Sequence, residues 1–162
     1  MDLLKSIIYV SNNKLGWYIS RDDAKITPKR YRDDVSIYDK IYYFFSEPTH
    51  IIDNIYLGNG NNAANYSSLK NNKIDIIINA TSELDNYYEY LNEFNYYKFN
   101  VLDEKDKDIS LYFNDFIEVI NKNPNKNILI HCYMGASRSA CFVLLYLIKF
   151  KNMSYDYAMK YL

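Results

Sequence analysis

The stretch that most constrains this chain is Ile128-Leu129-Ile130-His131-Cys132-Tyr133-Met134-Gly135-Ala136-Ser137-Arg138-Ser139. It opens on an apolar run short enough for a buried strand. It then becomes a loop of small residues holding one cysteine and one arginine. It ends by entering Ala140-Cys141-Phe142-Val143-Leu144-Leu145-Tyr146-Leu147-Ile148, which is apolar on every side and reads as a buried helix. A strand, a tight loop and a helix N-terminus together build an anion cradle. The first amides of the helix have no internal partners, and the helix dipole adds partial positive charge there.

Two side chains in this cradle carry chemistry. Cys132 lies where amide hydrogens and the dipole favour the thiolate over the thiol. Arg138 offers a planar fork that suits two phosphate oxygens and a trigonal-bipyramidal transition state. The amides of Tyr133, Met134, Gly135, Ala136, Ser137 and Arg138 would line the bowl, with Gly135 allowing backbone geometry that a side chain blocks. Ser139 is placed to donate a hydrogen bond to the sulfur and ease its departure in a second step. His131, at the strand end, is expected to orient the loop through hydrogen bonds rather than take a proton.

His131-Cys132, five residues, then Arg138-Ser139, set between a strand and a helix, resembles the signature loop of cysteine-based protein tyrosine phosphatases. The Gly135-Ala136-Ser137-Arg138-Ser139 ending is similar to the dual-specificity branch. Asn54-Ile55-Tyr56-Leu57-Gly58, Ile76-Ile77-Ile78-Asn79-Ala80-Thr81, Val101-Leu102-Asp103 and Asn152-Met153-Ser154-Tyr155-Asp156-Tyr157-Ala158 resemble that branch in the same order. The resemblance runs from about His50 to the last residue. It implies an α/β fold, a central and mainly parallel sheet flanked by helices, with residues 48–162 as the catalytic domain and residues 1–47 as an N-terminal extension.

The resemblance also implies a role for Asp103. Cleaving a phosphate ester requires an acid to protonate the leaving oxygen, and the same group can later deprotonate water. Asn100 to Asp108 is a polar, acidic loop, and Asp103 matches the family's general acid. Glu104, Asp106 and Asp108 are its rivals, though Asp108 or Ser110 is better read as a cap for the next helix. Asn79 has two readings of equal weight: a brace for the signature loop, as the resemblance implies, or a strand-end turn residue. The chemistry needs no metal and no cofactor, and the sequence has no cluster of ligands at zinc spacing.

The expected function is hydrolysis of phosphotyrosine and of phosphoserine or phosphothreonine through a cysteinyl-phosphate intermediate. The alternatives are a phospho-binding or interaction module with weak catalysis, which in such proteins usually goes with loss of the nucleophile, and an RNA 5′-phosphatase. RNA 5′-triphosphatase relatives tend to carry Asn-Arg-Thr where this chain has Ser137-Arg138-Ser139. Lysines inside the loop, typical of inositide phosphatases, are replaced here by Tyr133, Met134 and Ala136.

Composition narrows the setting. The net charge of -1 implies no broad attraction to nucleic acid or to anionic membrane. Two cysteines make no disulfide framework and suit a reducing, cytoplasmic compartment. No signal peptide is recognisable, and the helix after the signature loop is too short to span a bilayer before Lys149 and Lys151. The 19 tyrosines, with abundant Asn, Ile and Lys, fit A/T-rich codons such as those of some large DNA viruses or protists.

Within residues 1–47, Ser6–Val10 and Trp17–Ser20 read as strands and Val35–Phe45 as an amphipathic helix. This extension packs on the domain or serves as a partner surface, a lid or a homodimer contact. Downstream, Ile51–Leu57 reads as one strand, Asn62–Lys70 as a helix, Ile74–Asn79 as a buried strand, Leu84–Phe94 as a helix and Tyr96–Phe99 as a strand. A helix carrying Ile109, Phe113, Phe116, Ile117 and Ile120 precedes Ile128, and Ser154 caps a last helix, Tyr155–Leu162.

Overall fold

A computed structural model describes residues 47–104 and 107–162. The expectations for the N-terminal extension, and for Asp106, lie outside the described residues. In chain order the elements are β1 (Thr49–Ile52), β2 (Ile55–Gly58), α1 (Gly60–Ala64), α2 (Tyr66–Asn71), β3 (Ile76–Asn79), β4 (Asn95–Lys98), α3 (Phe113–Lys122), β5 (Ile128–His131), α4 (Arg138–Lys151) and α5 (Tyr155–Tyr161). Short 3-10 turns occupy Glu89–Leu91 and Ile109–Tyr112.

The five strands form one sheet in the order β1-β2-β5-β3-β4, with β1 antiparallel to β2 and the remaining pairs parallel. The isoleucine-rich runs explain this arrangement. Parallel strands covered on both faces need apolar side chains in both directions. Ile76, Ile78, Ile128 and Ile130 point into the larger core, with Phe116, Phe142 and Leu144. Ile77 and Leu129, one residue out of step, point into a smaller core with Ala63, Leu69 and Phe94, edged by Tyr56, Tyr66, Tyr87, Tyr88 and Tyr96. Much of the tyrosine content of this region therefore walls the second face.

The last strand in sequence, β5, is inserted between β2 and β3. Its register sets Gly58 and Asn79 level with His131, so three strands end side by side. In open α/β sheets the crevice beyond the carboxyl ends of the strands, where the strand order reverses, is where ligands bind. From here α4 runs through the centre of the larger core. Its residues from Arg138 to Ile148 are all buried, which is why its sequence lacks a polar face. Phe142 anchors it, with ring centroids 5.2 Å from Phe99 and from Phe116 and 6.0 Å from Phe113.

Three expected elements differ. Ile51–Leu57 is a hairpin rather than one strand. Asp53 takes a left-handed backbone at φ 49°, and the Asn54 amide donates to the carbonyls of Pro124 and Lys126, so the chain turns there. Asn62–Lys70 is split between α1 and α2, because the Asn65 side chain accepts from the Ser68 amide and starts a new helix. Leu84–Phe94 holds only a 3-10 turn. Its backbone is tied sideways: the Tyr88 amide donates to the Tyr96 hydroxyl at 3.1 Å, and the Tyr88 hydroxyl donates to the Ala64 carbonyl at 2.5 Å. Its aromatic residues still pack as a helix face would. The Ser154 cap is as expected, with the hydroxyl accepting from the Tyr157 amide at 3.3 Å.

Two stability predictions follow from this packing. Phe142→Ala is expected to cost about 3–5 kcal/mol, as a truncated buried aromatic does, and to lower the urea midpoint accordingly. His131 is 1% exposed, and its Nδ1 has no hydrogen-bond partner among the described residues. Burial pushes its pKa down from 6.5 to about 4. The unfolded chain then takes up a proton near 6.5 that the native protein accepts only near 4, so stability present above 6.5 is lost as pH falls through that window. The loss is about 3 kcal/mol. Urea midpoints measured across this range should fall in the wild type and fall less in His131→Asn. Equal slopes in the two proteins would rule out this histidine as the source.

Candidate active site

β5 ends at His131, and the chain turns through residues 132–137 into α4. The thiol of Cys132 is 2% exposed at the floor of this turn. Its Sγ accepts from the Gly135 amide at 3.2 Å and from the Ser139 hydroxyl at 3.2 Å. Two donors thus converge on one sulfur. Of the expected loop amides, that of Gly135 is therefore directed at the sulfur itself. Met134 forms an exposed part of the rim, and Ser137 stands at the start of α4 without a side-chain capping bond.

The loop is held against the corner between β2 and α1. The Gly60 amide donates to the Tyr133 carbonyl at 3.1 Å, and Asn59 caps α1 in a reciprocal box with Asn62. Gly135 is required twice over. Its φ is +76°, and a Cβ there would stand 2.9 Å from the Gly58 carbonyl oxygen.

Arg138, the first residue of α4, turns a guanidinium with 7% side-chain exposure toward the same opening. Its Nη1 donates to Glu83 Oε2 at 2.8 Å and to the Val101 carbonyl at 3.1 Å, and its Nη2 donates to Glu83 Oε1 at 2.6 Å. Burial alone pulls the arginine's proton affinity down, but the Glu83 carboxylate outweighs it and the net direction is upward. Burial likewise raises the Glu83 pKa, and the Arg138 hydrogen bonds and charge more than reverse this, holding the carboxyl below its ordinary range. Glu83 is thus an ionised, doubly bonded carboxylate that has no proton to give.

Asp103 approaches the same guanidinium nitrogen. Its Oδ2 is 3.6 Å from Nη2, an ion-pair distance too long for a hydrogen bond, and its side chain is 55% exposed. Two of the rivals, Glu104 and Asp108, have partners of their own. Glu104 pairs with Lys107 at 3.3 Å, and Asp108 accepts from the Ser110 amide at 2.9 Å. Asp103 is the carboxyl of that loop, among the described residues, that approaches Arg138.

The buried amide of Asn79 does not touch the signature loop. Its Oδ1 accepts from the Thr81 amide at 3.1 Å and the Thr81 hydroxyl at 2.7 Å, while its Nδ2 donates to the Leu84 carbonyl at 2.9 Å and to Asn86 Oδ1 at 3.1 Å. It organises the turn that carries Glu83.

Sequence reading brought together Cys132, Gly135, Arg138, Ser139 and Asp103 but missed Glu83. A usable signal existed: an arginine expected at the mouth of a buried helix needs a counter-ion. Glu83 sits just past the Asn79-Ala80-Thr81 motif on the strand next to β5. Among the described residues no group of three His, Cys, Asp or Glu side chains could hold a metal ion, and no helix is long and apolar enough to cross a membrane.

The dual specificity phosphatase catalytic domain matches residues 55–162. The human protein phosphatase Slingshot homolog 2 is 36% identical over 116 residues, covering 70% of this chain and 8% of the relative. A probable rhodanese domain-containing dual specificity protein phosphatase of Dictyostelium discoideum is 41% identical over 112 residues, 67% of this chain and 23% of the relative. The chain therefore spans less than a quarter of the length of either. Among solved structures, DUSP15 superposes with a TM-score of 0.64 at 25% identity, covering 70% of this chain and 72% of that one. A human tyrosine phosphatase-like serine/threonine/tyrosine-interacting protein superposes with a TM-score of 0.63 at 25% identity, covering 71% and 81%. The matched span contains the cysteine, the arginine and both carboxylates around them, and the chain belongs to the dual specificity phosphatase catalytic domain family.

Proposed function

We propose that this protein is a phosphatase acting on phosphotyrosine and phosphoserine or phosphothreonine in proteins, with residues 48–162 as the catalytic unit. The observation that carries the reading is a doubly hydrogen-bonded sulfur close enough to interact electrostatically with a guanidinium that has a carboxylate 3.6 Å away. The Cys132 thiolate attacks phosphorus in line, forming an S–P bond as the P–O bond to the substrate breaks. Arg138 and the loop amides hold the equatorial oxygens, whose charge they stabilise most in the transition state. Asp103 gives its proton to the leaving oxygen. In the second step Asp103 takes a proton from water, the hydroxide attacks phosphorus, and Ser139 stabilises the sulfur as it leaves.

Glu83 is ionised on Arg138, so the acid role falls to Asp103. A neutral, apolar loop interior (Tyr133, Met134, Ala136) favours a phosphorylated side chain over an inositide head group. A nucleophile that must stay reduced fits a reducing compartment. The second reading is phosphate binding without turnover, which the name of the phosphatase-like interacting relative keeps in view.

The purified protein should turn over an aryl phosphate, and Cys132→Ser should abolish this. Acid quench with a labelled substrate should trap phosphate on Cys132. Binding of phosphopeptide by a protein with no turnover would favour the second reading.

Asp103→Ala should slow kcat by about two to four orders of magnitude. The loss should be larger for a phosphoserine peptide than for an aryl phosphate, because the alkoxide is the poorer leaving group. An unchanged rate in Asp103→Ala rejects the assignment. A panel of phosphotyrosine, phosphothreonine and phosphoserine peptides, with an inositide and an RNA 5′-triphosphate alongside, sorts the substrate class.

A further inference from the structure

We propose that Tyr112 is a positioning residue of this site: its hydroxyl fixes the backbone that aims the Asp103 carboxyl, and so sets how well a proton reaches the leaving oxygen. The inference rests on the reading of Asp103 given above. Little holds that carboxyl directly. Among the described residues the Asp103 side chain has its 3.6 Å approach to Arg138 Nη2 and no hydrogen bond, and it is 55% exposed. A carboxyl with so few contacts takes its place from the backbone that carries it. Proton transfer needs that place to be right, because the acid must come within hydrogen-bond reach of the leaving oxygen.

The path of that backbone is defined by three bonds. β4 ends at Lys98, and the Phe99 amide still donates to the Asn79 carbonyl at 2.8 Å. The chain then leaves the sheet through a tight turn, in which the Val101 amide donates to the Phe99 carbonyl at 2.7 Å. The Val101 carbonyl accepts from the Ser82 amide at 3.2 Å and from Arg138 Nη1 at 3.1 Å. The Asn100 carbonyl accepts from the Tyr112 hydroxyl at 3.1 Å. Tyr112 stands 12 residues further on, where the chain has come back to the domain. Its bond therefore joins the outgoing and returning limbs of the segment that carries Asp103, and closes the base of that segment.

Tyr112 is itself rooted in the core. It ends the 3-10 turn Ile109–Tyr112, which Asp108 caps by accepting from the Ser110 amide at 2.9 Å. Ile109 before it and Phe113 after it are both buried. Its ring centroid lies 5.7 Å from that of Phe99, which lies 5.2 Å from that of Phe142 in α4. The side chain thus runs from the packed core to one loop carbonyl. Phenylalanine keeps the packing and removes only the bond, which separates two roles. A hydroxyl that merely ties a loop changes stability and leaves the chemistry alone. A hydroxyl that aims an acid matters more as the leaving oxygen becomes more basic, because such an oxygen depends more on being protonated.

The test compares wild type, Tyr112→Phe, Asp103→Ala and the double variant. It measures kcat/KM on nitrophenyl phosphate, on unsubstituted phenyl phosphate and on a phosphoserine peptide. It also follows amide exchange at Ser82 and Val101, whose N–H groups are bonded within this segment. Positioning predicts that Tyr112→Phe loses about 3- to 30-fold on phenyl phosphate and on the phosphoserine peptide, short of the roughly 100-fold that a misplacement of about 1 Å costs. On the nitrophenyl ester, with its good leaving group, the loss should stay under about 2-fold. Adding Tyr112→Phe to Asp103→Ala should cost nothing further, because no acid is left to aim. An equal loss on all three esters, the same loss in the Asp103→Ala background, or an unchanged rate on phenyl phosphate overturns the proposal while the reading of Asp103 stands. An Asp103→Ala protein with the wild-type rate on every ester rejects that reading, and the role of Tyr112 with it. If the wild type turns over no ester, the proposed function fails. Faster exchange at Ser82 and Val101 in Tyr112→Phe then still supports the hold on this backbone, and unchanged exchange overturns it.

Discussion

A permanent cation at the edge of a hydrophobic core needs a fixed anion, and the architecture of this site follows from meeting that need at Arg138. The arginine begins a helix that is buried along most of its length, so its side chain leaves the core already stripped of most water. An unpaired guanidinium in that position would be strongly destabilising. Glu83 neutralises it with two hydrogen bonds, and the Val101 carbonyl fills a third donor. The pairing satisfies the charge, and Asp103 Oδ2 stands 3.6 Å from the same Nη2.

The sheet makes this arrangement possible. β2, β5 and β3 run parallel and stop in one row, so the residues following Gly58, His131 and Asn79 emerge beside one another. The corner after Gly58 supplies a close backbone surface on which the signature loop rests, and Gly135 is the residue that permits that approach. The turn after Asn79 supplies Glu83. The loop between them supplies the sulfur. Each strand end contributes one component, and no component lies far from a hydrogen-bonded strand, which limits how much the geometry can drift.

The carboxylates around the arginine are sorted by environment. Glu83 is drawn into the fork and kept ionised. Asp103 stays more than half exposed, at ion-pair distance from the same Nη2. One is a fixed counter-ion, and the other approaches the same cation without a hydrogen bond. Two acids of similar chemistry near one cation thus come to differ because one is locked by paired hydrogen bonds and the other is not.

The strand, the loop and the buried helix from Ile128 to Ile148 were legible in the sequence, as was the pairing of Cys132 with Arg138 and Ser139. These features are local in sequence: six or seven residues of separation and a change from a short apolar run to a longer one announce them. The isoleucine runs at 76–78 and 128–130 likewise announced strands buried on both faces. What only the tertiary structure decided involves partners distant in sequence. Glu83 meets Arg138 across 55 residues. The turn at Asp53 and the irregular course of Leu84–Phe94 override a plausible periodicity, because side chains such as Asn54, Asn79 and Tyr96 bond the backbone more favourably than continued regular structure would. Periodicity reports which face is buried, and it cannot report which distant polar group will claim a backbone donor or a buried charge.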